Sequence, residues 1–157
     1  MFIQLFFVAF CLAIATILQF TLGYAYPFLD GQLNFLVIVI AIILTLLPHI
    51  SILAFGLLYS FGIDLLIHSS GLHMLAFLLA FVPVYGYYLK KNLVKGNLVH
   101  MIIAVVIATI LYELTFFGFF VLYEPKESLE YLISYLPVLL VYHCILGIVF
   151  FPLLSST

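Results

Sequence analysis

The sequence predicts an all-α membrane protein, a bundle of about six transmembrane helices joined by short loops. Three observations predict it. Of 157 residues, 68% are hydrophobic and 6% charged, whereas soluble domains carry roughly 25% charged and 45–50% apolar residues. The apolar residues fall in long runs broken by Pro, Gly and polar clusters. A spanning helix takes about 20 residues, so this length holds about six spans as one integral membrane domain over residues 1–157. Four lysines, no arginine and six acids leave no cationic cluster for phosphate, which excludes a nucleic-acid binder.

The first run, residues 2–23, has no basic segment before it and no small-residue cleavage site, so it reads as a retained span and not a signal peptide. Tyr24 to Gly31 contains Pro27, Asp30 and Gly31 and reads as a loop, its two tyrosines suited to a membrane interface. The second span, 32–47, stops at Pro48-His49. At ~1.5 Å per residue it reaches about 24 Å, short of a ~30 Å hydrocarbon core, so it sits in thinned bilayer or pairs tightly with a neighbour. The third span is 50–67, then a turn at 68–71, then a fourth span at 72–89 that Pro83 and Gly86 are expected to kink.

Lys90, Lys91 and Lys95 follow. Short loops rich in lysine stay cytoplasmic, which places both termini inside. The fifth span is 98–123, Glu124 to Glu130 reads as an acidic outer loop, and the sixth span is 131–154. Cys11 and Cys144 lie inside apolar runs and read as small hydrophobes, not as a disulfide.

Charged side chains inside spans are costly and mark functional candidates. There are two, Asp64 and Glu113. Gly56, Ser60 and Asp64 recur every four residues and His68 extends the row, so the four share a face of the third helix. A row of small residues lets another helix approach closely. It reads either as a groove for a partner's helix anchored by Asp64, or as packing within this chain. Glu113 and His143 fall at similar depth on the fifth and sixth helices and form a candidate buried polar pair, either a proton-relay element or one structural hydrogen bond.

Asp64, His68 and His73 are the one set of metal-ligand types near each other, without the spacing of a metal motif, and read as interfacial groups. No serine has a patterned His-Asp partner and no glycine-rich phosphate loop occurs, so no catalytic residue, cofactor or metal is expected.

The most specific stretch is Leu47 to Phe77, with Pro48-His49, Gly56, Asp64-Leu65, Ser69, Gly71 and Leu75-Ala76 in order. It resembles the MreD family, small integral inner-membrane proteins of the bacterial rod-shape system. Ile50 stands where family members often carry a basic residue, and His68 where the turn often holds glycine. The resemblance implies a non-enzymatic component of the elongation complex in the bacterial inner membrane. It would help organise lateral-wall peptidoglycan synthesis with an MreC-like bitopic protein, an MreB-like actin homologue and a RodA-type glycosyltransferase with its penicillin-binding partner. The alternative is the substrate-binding membrane subunit of an energy-coupling vitamin or metal transporter, similar in size and helix number. That class needs a pocket of convergent polar groups, for which the sequence offers Asp64, His68, His73 and Glu113.

Overall fold

The structure, a computed structural model, describes residues 2–23, 34–47, 49–67, 72–91, 97–121 and 125–155. The described residues form helices α1 (Phe2–Leu18), α2 (Phe35–Leu46), α3 (Ile50–Ile67), α4 (Leu72–Lys91), α5 (Leu98–Val121) and α6 (Pro125–Ser155). No strand occurs among them. α1 runs on into a π-helical turn, Gln19–Gly23.

Among the described residues, three stretches are long and apolar enough to cross a membrane: Ile3–Leu22, Leu98–Gly118 and Leu132–Ser155. Phe35–Leu46, Ile50–Ile63 and Leu75–Gly86 are shorter apolar stretches. Two boundaries move from their expected places. The acidic loop expected at 124–130 is, from Pro125 onward, the opening of α6. Proline suits a first helical position, where its missing N–H has no partner to lose and its φ is already helical. Lys90 and Lys91 fall within the last turn of α4 and not in the link after it, where a positive charge complements the helix dipole.

α2 is the centre. Every residue from Phe35 to Thr45 is buried, and the helix packs against α1, α3, α4, α5 and α6. Its sequence explains this, since Phe-Leu-Val-Ile-Val-Ile-Ala-Ile-Ile-Leu is apolar on every face. Of the two accommodations open to a short second helix, tight pairing with its neighbours describes what α2 does. At 12 residues it is about 18 Å long, and its neighbours cover it along that length.

The surrounding helices are two-sided. On α1, Val8, Cys11, Leu12 and Ala15 are buried while Ile3, Phe6, Phe10, Ile14 and Ile17 form an exposed row. On α5, Met101, Ala104, Val105, Ala108, Thr109, Tyr112 and Glu113 are all buried and recur at helical spacing on one inward face. α6 buries Leu139, His143 and Phe151 and exposes Ile133, Val141, Ile145, Ile148 and Val149. Water-soluble monomers rarely expose apolar patches beyond a few hundred Å². Apolar side chains this continuous on two outer helices suit a membrane bundle.

Close approach fixes two helix pairs. A Cβ on Gly147 of α6 would lie 3.2 Å from Met101 Sδ and 3.5 Å from Val105 Cγ2 of α5. On the other side of α5, Tyr112 tilts against Phe77 of α4 at 5.0 Å between ring centroids, and Phe77 stacks on Phe81 at 5.8 Å.

Candidate functional site

The polar centre of the molecule lies at the start of α2. The first N–H groups of any helix lack intrahelical acceptors, and leaving one unsatisfied in an apolar interior costs about 1–3 kcal/mol. Here side chains from three elements supply acceptors. Phe35 N–H donates to Gln19 Oε1 (2.8 Å), Asn34 N–H to His143 Nε2 (3.2 Å), and Val37 N–H to Asn34 Oδ1 (3.2 Å). Asn34 is the N-cap, with non-helical φ −96° and ψ 85°. Its own carbonyl accepts the first helical bond, from Ile38 N–H at 3.3 Å.

His143 links this start to α5. Its Nδ1 lies 2.8 Å from Thr109 Oγ1, and both residues are fully buried. The network assigns the tautomer. A backbone N–H can only donate, so Nε2 must present its lone pair to Asn34 N–H, and Nδ1 carries the hydrogen that it donates to Thr109. The ring is therefore held neutral, a donor to one helix and an acceptor for another. Thr109 lies 11 residues after Leu98 and 12 before Val121, about 16–18 Å from either end of α5. The Thr109–His143 contact is thus midway along α5 and fully buried.

Local sequence delivers Gln19 to this place. Thr16 donates back to Leu12 O and Thr21 to Ile17 O, each at 2.8 Å. Such back-bonding bends helices, and between the two threonines α1 widens into the π turn that begins at Gln19. Thr16 Oγ1 also meets Tyr59 of α3 at 2.9 Å, which ties the same part of α1 to a second neighbour.

Glu113 sits one helical turn beyond Thr109 on the same inward face and is 5% exposed. The structure buries both Glu113 and His143 on adjacent helices but does not join them. His143 spends its two nitrogens on Thr109 and Asn34, and among the described residues no hydrogen bond to Glu113 occurs. Of the small-residue row on α3, Gly56 is buried with Ile40 of α2 at 3.8 Å from a Cβ built on it. Ser60 is buried and donates to Gly56 O at 2.9 Å. Gly56 thus meets this chain's own α2 and Ser60 is buried within the bundle, so the packing alternative describes these two positions. The side chain of Asp64, and His68, lie outside the described residues, as does the side chain of His73. Among the described residues no three His, Cys, Asp or Glu side chains gather to hold a metal.

Gln19, Asn34 and Thr109 escaped the sequence reading. Asn34 carried a signal, since an asparagine directly before a long apolar run is an N-cap signature. Starting the second helix at residue 32 placed it inside the helix and hid that role. Gln19 and Thr109 carry none, because their partners are 16 and 34 residues away.

Fold and junction together define a helical bundle whose outer helices offer apolar side chains outward and whose short central helix is capped by neutral polar groups. No family model matches the chain, and no match to a curated protein or a solved structure reaches significance.

Proposed function

We propose that the chain is a six-span protein of the bacterial inner membrane, MreD-like, with both termini cytoplasmic. It acts without catalysis, as a membrane component of the rod-shape complex. The observation that carries the reading is the stretch from Leu47 to Phe77. Within it His49 directly precedes α3, Gly56 packs against Ile40 of α2, and the buried part of α4 begins at Ala76 and Phe77. On this reading the contact with an MreC-like bitopic protein uses apolar helix sides, and the MreB-like, RodA-type and penicillin-binding partners join the same assembly. The test is co-purification in detergent of the full chain with the MreC-like protein of the same organism, alongside depletion of the chain in growing cells. Recovery of the partner and rounding of depleted rods are expected. Rods that keep their shape and a partner absent from the eluate would sink the reading.

One observation favours the transporter-subunit reading. The bundle brings half-buried Gln19 and Asn34 together with buried Thr109 and His143, with buried Glu113 one turn away, and convergent polar groups are what a small-molecule pocket needs. Mass spectrometry of ligand retained through purification separates the two readings. A stoichiometric vitamin or metal ion supports the transporter class, and its consistent absence together with partner recovery supports the scaffold.

A further inference from the structure

At the end of the bundle where α1 and α3 both begin, Gln4, Leu5, His49, Ser51 and Ile52 line a cavity of about 170 Å³. Its lining has a definite chemistry. His49 Nδ1 accepts from Ser51 N–H at 3.2 Å, so the ring nitrogen left to donate is Nε2. Gln4 adds an amide NH₂ and Ser51 a hydroxyl, and none of the five lining residues is an acid. Three donors without a carboxylate suit an anionic oxygen, and donor sets of this kind bind phosphate.

The surroundings say which phosphate. Ile3 (86% exposed), Phe6 (77%) and Ile50 (57%) adjoin the lining residues in sequence and face outward. A free anion gains nothing from them, whereas the acyl chains of an amphiphile do. α3 runs away from this end and α4 returns to it, finishing at Lys90 and Lys91. Three of the chain's four lysines are Lys90, Lys91 and Lys95, and juxtamembrane lysines attract anionic headgroups.

We propose that this cavity takes the phosphate of an anionic phospholipid through Gln4, His49 and Ser51, with the acyl chains lying along Ile3, Phe6 and Ile50. The site is independent of either reading of the protein's function and needs only that the bundle sits in a bilayer. The test is native mass spectrometry of the full chain, delipidated in detergent and titrated with phosphatidylglycerol.

One lipid is expected to bind saturably, and the Gln4→Leu/His49→Leu double variant to bind it at least about tenfold more weakly, the loss of roughly two net hydrogen bonds. Circular dichroism and gel filtration check that the variant keeps its helices and its size. Should it not fold, Ser51→Ala carries the test with an expected loss of about threefold. His49→Gln, which keeps a donor, is expected to retain binding. Equal binding by wild type and the variants overturns the site. Equal binding of diacylglycerol, which lacks the phosphate, overturns the headgroup assignment, and displacement by millimolar inorganic phosphate overturns the lipid in favour of a free anion.

Discussion

α2 and α6 are both apolar helices, yet the bundle uses them in opposite ways. α2 has 12 residues and is buried from Phe35 to Thr45, whereas α6 has 31 and exposes Ile133, Val141, Ile145, Ile148 and Val149. Lipid tails are as apolar as leucine, so hydrophobicity alone does not sort helices into inside and outside. Close packing and polar groups sort them. α6 faces inward where it carries His143 and Gly147, one for a hydrogen bond and one for close approach to α5. α2 needs no spanning length because other helices cover it, but its start lies at mid-bundle and must be capped by side chains.

The largest expected effect breaks this contrast if it is wrong. Ile42 on α2 is fully buried and Ile148 on α6 is 44% exposed. Ile42→Ala should cost about 2–5 kcal/mol, because the cavity it leaves cannot be refilled. Ile148→Ala should cost less than about 1 kcal/mol, because lipid tails close over the gap. Unfolding in mixed detergent micelles, followed by circular dichroism, reads both, and equal losses would mean that α6 does not face lipid.

A smaller effect sharpens the account of the cap. His143→Phe removes the acceptor for Asn34 N–H and should cost about 1–3 kcal/mol in the same assay. A double-mutant cycle with Thr109→Val should show coupling of about 1 kcal/mol, and one with Glu113→Gln less than about 0.5 kcal/mol. Strong coupling to Glu113 would restore the direct pair that the sequence suggested.

The smallest effect concerns α3. A Cβ on Gly56 would meet Ile40 at 3.8 Å, an ordinary contact, and alanine gains up to about 1 kcal/mol of helix propensity over glycine. Gly56→Ala should therefore be neutral or mildly stabilising to unfolding. A clear loss would show that the α2–α3 contact is tighter than that spacing.

How much could be read in advance follows from the range of each signal. Runs of apolar residues are local, so six helices were legible within a few residues of their ends, apart from the opening of α6, where charge was read as loop. Which helix occupies the centre was not legible, because a helix apolar on every face, as α2 is, suits lipid as well as a protein interior. Glu113 and His143 were legible as buried polar residues from their positions in apolar runs. Their lack of a mutual bond was not, because Asn34 and Thr109 compete for the same two nitrogens and come from other parts of the chain.

Composition and run length alone committed the chain to helices with apolar outer faces, because a backbone that meets no water must satisfy itself within each helix. Packing then settled what no run of residues encodes. It placed the shortest helix at the centre, turned Gly56 inward upon it, and brought Gln19 and His143 from two other helices to its first amides, with Thr109 holding His143 in place. Those amides need side-chain acceptors because α2 begins inside the bundle, and a helix that begins there is stable only where its neighbours supply them.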